Sequence, residues 1–247
     1  MNILVTNDDG YDAPGIHHLR EAMTGLGTIM VAAPDKNHSG ASSALTLSRG
    51  ISVHCEAPGC YRISGTPGDC VHLALTAGFL PAMPDLIVSG VNDGSNMGDD
   101  TIYSGTVAAV IEGHLFGIPG FAFSMAGKSG RYFEAGAAAA RRLVMHFQQK
   151  RLGGVPLLNV NIPDAPPKAS PEIVITRLGR RHPAQPAECR ETKDGDEVYF
   201  IGEAGAAQDN APGTDFHAVE CGNISATPLM IDLTDAAQFA DLREWLS

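Results

Sequence analysis

Five runs of this chain are apolar at consecutive rather than alternate positions: ILVT from Ile3, TIMVAAP from Thr28, DLIVSGVN from Asp85, GFAFSM from Gly120 and PLLNVNIP from Pro156. A strand with one face in water alternates apolar with polar residues, whereas a strand covered on both faces does not. Between the runs lie stretches with helical spacing. Pro14–Leu26 places Ile16, Leu19, Met23 and Leu26 on one face, and TPGDCVHLALTAGFL, SGTVAAVIEGHLFG and Tyr132–Gln149 read the same way. Pro14 suits a first helical turn and Thr66 a cap. Ile51–Cys55 and Tyr61–Ser64 are shorter strand candidates. Alternation of strand and helix with short connections predicts an α/β fold with a doubly wound, mostly parallel sheet. A ligand site in such a sheet lies beyond the carboxyl ends of the strands.

The character changes after Pro163. PDAPPKASPE reads as a Pro-rich connector, IVITRLG, EVYFIG and TPLMIDLT as strands, Glu203–Gly213 as a polar, Gly-rich stretch, and DAAQFADLREWL as a closing amphipathic helix. The expected division is an α/β catalytic core over residues 1–163 and a β-rich arm with its helix over 164–247, the last strand being free to rejoin the core. Strands without covering helices between Pro163 and Thr227 leave open edges, which invite pairing with another chain. A helix carrying Phe239, Leu242, Trp245 and Leu246 needs an apolar surface to cover. Exchange of this half between protomers meets both needs.

The carboxyl ends of the first, second and third runs carry polar loops. Asp8 and Asp9 stand side by side where the first strand ends, followed by Gly10. Like charges repel and lose solvation beside a sheet, so the pair is a liability unless a cation is bound, and its hard oxygens are the donors Mg²⁺, Mn²⁺ or Ca²⁺ prefer. The alternative is an Asx-type turn. PDKNHSG follows the second strand and presents Lys36, His38 and Ser39. SGVNDGSNMGDDTIYSGT follows the third, with Asn92 able to give an amide oxygen to a metal. Ser104-Gly105-Thr106 then open a helix whose free amides suit an anion such as phosphate, or where Ser104 or Thr106 simply caps the helix. Lys128 follows the GFAFSM strand and can reach the same rim.

Net charge is −11 for 247 residues, which argues against a phosphate-coating nucleic-acid binder and against binding to acidic membranes. No apolar run approaches the ~20 residues of a membrane span. MNILV enters a strand at once, without the layout of a signal peptide. Five cysteines without a CxxC fit reduced thiols and a cytoplasmic location better than structural zinc. GxxxxGK[ST], GxGxxG after the first strand, GxSxG and HExxH are all absent.

NDDG, PDKNHSG, SGVNDGSNMGDD and YSGTVAAVIEG, in this order, resemble the SurE family of stationary-phase survival nucleotidases, and GTPGDCVHLAL and the late TPL are similar as well. The resemblance spans Met1 to about residue 235. It departs at Gly68, Val110 and Gly222-Asn223, none of them a proposed ligand. The resemblance implies a Rossmann-like fold and a metal-dependent 5′-nucleotidase that hydrolyses nucleoside 5′-monophosphates. It places one divalent cation per subunit, Mg or Mn, on Asp8, Asp9, Ser39 and Asn92, with Asp8 and Asp9 also catalytic. It places the phosphate on Asn96, Ser104, Gly105 and Thr106, in a homodimer or homotetramer. Two other readings compete. A phospho-receiver signalling module also pairs acids after its first strand, and Lys128 would suit it, but the third strand ends in Asn92 with the aspartate one residue later. The other is a nucleotide-binding protein without turnover.

Overall fold

The structure, a computed structural model, describes residues 1–150, 152–166, 171–181, 186–191, 197–202 and 205–247. β1 (Asn2–Thr6) is followed by α1 (Pro14–Met23), β2 (Thr28–Pro34), β3 (Val53–Ala57), β4 (Cys60–Ile63), α2 (Pro67–Thr76) and β5 (Leu86–Asp93). A 3-10 turn over Gly98–Tyr103 leads to α3 (Gly105–Leu115), β6 (Gly120–Met125), α4 (Phe133–Gln149) and β7 (Leu157–Ile162). Then come β8 (Ile173–Ile175), β9 (Arg180–Arg181), β10 (Glu188–Glu191), β11 (Glu197–Phe200) and β12 (Ala207–Asp209). The chain closes with α5 (Asp215–Glu220), β13 (Ile224–Pro228), a short 3-10 turn and α6 (Phe239–Leu246).

Nine strands form one sheet in the order β3-β4-β2-β1-β5-β6-β7-β13-β8. β1 pairs in parallel with β2 and β5, so Leu4 lies beside both Met30 and Ile87. The chain winds outward from β1 through β2 and β4, then crosses back and winds the other way through β5, β6 and β7. β1 and β5 therefore flank the switch point, where an α/β sheet opens a crevice. The continuous apolar runs follow from coverage on both faces. Ile3 and Val5 pack with Ile16, Leu19 and Phe133 of α1 and α4, while Leu4 packs with Val71, Val107 and Val110 of α2 and α3. Each such fully buried side chain contributes about 1.5–3 kcal/mol.

Several boundaries differ from expectation. α1 stops at Met23 rather than Leu26, because Gly25 turns with φ +81° and Gly27 lies so close to Met1 that a side chain there would strike its carbonyl. α2 stops at Thr76 and the chain turns at Gly78, φ +72°. The strand expected at TPLMIDLT lies earlier, at Ile224–Pro228. Its small residues pair antiparallel with β7 and parallel with β8, while Met230 and Leu233 beyond it are exposed. The stretch from Pro163 to Thr227, expected to lack helices, holds α5, too short to show a hydrophobic period. Two further two-stranded ladders, β10-β11 and β9-β12, stand apart from the main sheet. Residues 167–170 of the Pro-rich connector and 203–204 of the polar stretch lie outside the described residues. No described helix is long and apolar enough to cross a membrane.

Candidate active site

At the switch point the carboxyl ends of β1 and β5 and the loop after β2 open on a cleft of about 320 Å³. β1 ends at Thr6, and the chain turns as Asn7 Nδ2 donates to Gly10 O (2.8 Å). Gly10 has φ +112°, which only glycine adopts easily, and a side chain there would press on the Lys36 backbone. The next connection is tied in by His38 N donating to Asp8 O and Tyr11 N to Pro34 O, both 2.8 Å.

Asp8 is 3 % exposed and lies flat against the first turn of α3. A side chain on Gly105 would come within 2.8 Å of Asp8 Cβ, so the contact requires glycine. Thr106 Oγ1 donates to Asp8 Oδ1 at 2.5 Å. Burial pushes the Asp8 carboxyl up to about 6, opposed by the Thr106 hydrogen bond and reinforced by Asp9. Asp9 accepts from Asp93 N and Asn37 Nδ2, both 3.3 Å, and burial raises its pKa also. Among the described residues no Lys, Arg or His forms an ion pair with Asp8, Asp9 or Asp93. Asp93 Oδ1 is buried and meets no donor among the described residues.

Ser39, exposed at the cleft, is set by an Asx turn in which its N–H donates to Asn37 Oδ1 (2.7 Å). Asn92 donates Nδ2 to Gly94 O (2.8 Å), and no described residue donates to its Oδ1. Ser104 is the N-cap of α3, its Oγ accepting from Val107 N (3.1 Å). Asp8, Ser39, Asn92, Asn96 and Ser104 thus line one cleft, together with Lys128. Gly105 and Thr106 are buried behind it, and the Thr106 hydroxyl is turned to Asp8 rather than into the opening.

Asn96 is held by residues that the sequence reading did not single out. Its N–H donates to Asn161 Oδ1 (2.9 Å) and its Nδ2 to Ser124 Oγ (2.8 Å), while its carbonyl accepts from Asn159 Nδ2 (2.7 Å) and Asn161 Nδ2 (3.1 Å). The signal for them is the spacing in LLNVNI, two asparagines on one face of a largely buried strand.

The donor chemistry fits a hard divalent cation: the Asp8 carboxylate, the Ser39 hydroxyl and the Asn92 amide oxygen line one opening, and Asp9, outside that lining, is tied to it through the backbone of Asp93. Among the described residues no group of three His, Cys, Asp or Glu forms a conventional cluster, so such an ion would need the neutral oxygens as well.

A doubly wound α/β sheet with an acid pair and a helix N-terminus at its switch point defines the broad class: a Rossmann-like α/β protein whose candidate site lies at that switch point. Residues 3–185 match the family described as Survival protein SurE. Over all 247 residues, and the whole of its counterpart, the chain is 50 % identical to a protein of Methylobacillus flagellatus named 5'-nucleotidase SurE. The crystal structure of SurE protein from Aquifex aeolicus superposes with a TM-score of 0.87 at 35 % identity, covering both chains entirely. This chain belongs to the SurE family.

Proposed function

We propose that this protein is a metal-dependent 5′-nucleotidase, releasing phosphate from nucleoside 5′-monophosphates at the cleft above β1 and β5. The observation that carries the reading is Asp8, a buried carboxylate that forms no ion pair among the described residues, packed on the first turn of α3 at the cleft. Asp8, Asp9, Ser39 and Asn92 would hold one divalent cation, Mg²⁺ or Mn²⁺ by the hardness of the donors. When bound, that ion offsets the charge of the acids and of the substrate and acidifies water. Asn96, Ser104, Gly105 and Thr106 would receive the phosphate. With Val107 N–H given to Ser104 Oγ and the Thr106 backbone turned to Asp8, the Gly105 N–H at the start of α3 would be the backbone donor for its equatorial oxygens, where charge grows in the transition state. One of the two acids would also orient the attacking water or take its proton, and Asp9 is the more open of them. No residue is assigned as acid for the leaving alcohol.

Incubation of metal-loaded protein with a nucleoside 5′-monophosphate, assayed for free phosphate, tests this reading. Multiple turnovers that stop on chelation are expected. A single stoichiometric phosphorylation would favour the receiver module, and binding without phosphate would favour a nucleotide carrier; either overturns the reading.

The assembly belongs to the same reading: residues 1–163 as the catalytic core and 164–247 as an arm, exchanged in a homodimer or homotetramer. Its support is α6, which buries no residue and leaves Trp245 80 % and Leu246 76 % exposed. Sedimentation at micromolar concentration should show no monomer. A fully active monomer would rule out an obligate exchange.

A further inference from the structure

Asp215 opens α5, far along the chain from the cleft, and is completely buried. It forms no ion pair among the described residues, although Arg177 lies near enough to interact with it electrostatically, and its two oxygens are met by backbone N–H groups. Oδ2 accepts from Gly98 N (2.7 Å), and Oδ1 from Gly179 N (2.8 Å) and Phe216 N (2.9 Å). Bonds from N–H groups to an ionised carboxylate are among the stronger ones, and a buried carboxylate without them is costly. The helix does not need Asp215 as its cap, because Thr214 Oγ1 already accepts from His217 N (3.2 Å). The bonds to Gly98 and Gly179 therefore serve to join segments.

Gly98 lies between two cleft residues, Asn96 and Ser104. It has φ +53° and is wedged between the Phe216 ring and Gly179 O, leaving no room for a side chain. The adjoining residues are gripped from the same quarter. Arg181 N donates to Asp99 Oδ2 (3.2 Å), and Arg181 Nε meets Asp100 Oδ1 at 2.6 Å. Asn159 and Asn161 secure the start of the segment from β7, and Asp215 secures its middle from the C-terminal extension.

We propose that Asp215 is a positioning residue for the hydrolysis: through Gly98 it holds the Asn96–Ser104 segment at the spacing a phosphate requires. This rests on the reading of Asn96 and Ser104 as substrate contacts. Asp215→Asn keeps the volume and one oxygen for Gly179 and Phe216, but sets an NH₂ against the Gly98 N–H. The full chain carrying it should lose up to about 100-fold in kcat/KM, the scale of a small misplacement of reacting groups. The loss should fall mainly on KM, with weaker inhibition by inorganic phosphate, while Mn²⁺ affinity measured by calorimetry is unchanged. Amide hydrogen exchange should quicken over Gly98–Tyr103 only. Unchanged kcat/KM and exchange would overturn the proposal, as would a loss of Mn²⁺ affinity in step with activity. If Asp215→Asn does not fold, Arg181→Met must give a smaller loss in kcat/KM with Mn²⁺ affinity intact, and no loss there overturns it too. Wild-type protein that released no phosphate would overturn the reaction reading alone, and exchange would still decide whether Asp215 clamps the segment.

Discussion

On the β1 side of the cleft, each candidate ligand is placed by the strand just before it. Asp8 and Asp9 directly follow β1, Ser39 lies in the loop after β2, and Asn92 is still part of β5. On the opposite side, the Asn96–Ser104 segment leaves the sheet and is held from a distance, by Asn159 and Asn161 on β7, Ser124 on β6 and Asp215 at the head of α5. The first side carries an electrostatic burden: Asp8 is buried and Asp9 half-buried, and among the described residues no Lys, Arg or His forms an ion pair with either. The second carries a hydrogen-bonding burden, since its backbone polar groups leave regular structure and must be paired elsewhere. The two sides should therefore fail differently: one through metal affinity with the fold intact, the other through positioning and stability with metal affinity intact.

The sharpest test is on the first side. Asp8→Asn and Asp9→Asn should each lower divalent-metal affinity and phosphate release together, by more than the roughly 10–100-fold seen for residues that merely support ligands. Thermal stability of the metal-free protein should hold or rise, because a buried like-charge pair is relieved. Removing metal from the wild-type protein should reproduce the activity loss. Mn²⁺ titration, phosphate assay and thermal melts read all three, and an Asp9→Asn protein with intact metal affinity would erase the distinction between the sides.

Thr106 joins the two. It stands on α3, yet its hydroxyl is spent on Asp8. Thr106→Val keeps the shape and removes that bond, so kcat/KM should fall by about 10–100-fold, as for a residue that orients a ligand, with little change in melting temperature. Thr106→Ser should restore most of it. A fall in melting temperature with unchanged kcat/KM would assign Thr106 to the helix rather than to the site.

On the second side, Asn159→Ala and Asn161→Ala strand buried partners around Asn96, costing about 1–3 kcal/mol of stability each. The melting temperature should drop and kcat/KM weaken, while Mn²⁺ affinity stays at the wild-type value. Equal loss of Mn²⁺ affinity would show that the sides are mechanically one.

The same contrast explains what could be read in the chain before its structure. β1, β2, β5, β6 and β7 announce themselves because strands covered on both faces are apolar throughout, and the loop that ends such a strand at the switch point is a site by topology. Asp8 and Asn92 stand at such strand ends, whereas Ser39 is offered as a ligand only by the resemblance to the SurE family. Asn159, Asn161 and Asp215 act across large separations in sequence, where no local pattern specifies the partner. Only the paired asparagines in an otherwise buried strand hinted that a polar group had to be met there. β13 was displaced for a related reason: its small residues earn their place by pairing with β7, while the more apolar Met230 and Leu233 look like a strand and remain in water. Ser104 shows the limit of a local motif, for its hydroxyl accepts from Val107 N and so caps α3.

The mildest effect expected on the first side comes from Asp69, which steadies the chain beyond Ser39. It is the third residue of α2 and forms a capping box with Thr66. Its carboxylate also accepts from Thr46 N (2.8 Å) and Thr46 Oγ1 (2.6 Å). Burial alone would raise its pKa, but the donations from Thr46 and Thr66 together outweigh burial and hold it below the ordinary carboxylate value. A carboxyl depressed on folding binds its proton more weakly in the native state. Its contribution is therefore complete at neutral pH and is lost as pH falls through the folded-state value. Asp69→Asn should cost about 1 kcal/mol at neutral pH, the worth of a helix cap, and the gap from wild type should close in acid below the ordinary carboxylate range. Metal affinity and kcat/KM should fall only slightly, since Ser39 is fixed by its own turn with Asn37. Thermal melts of both proteins from neutral pH downward decide it: a gap that stays constant in acid would mean that Asp69 acts through shape rather than charge.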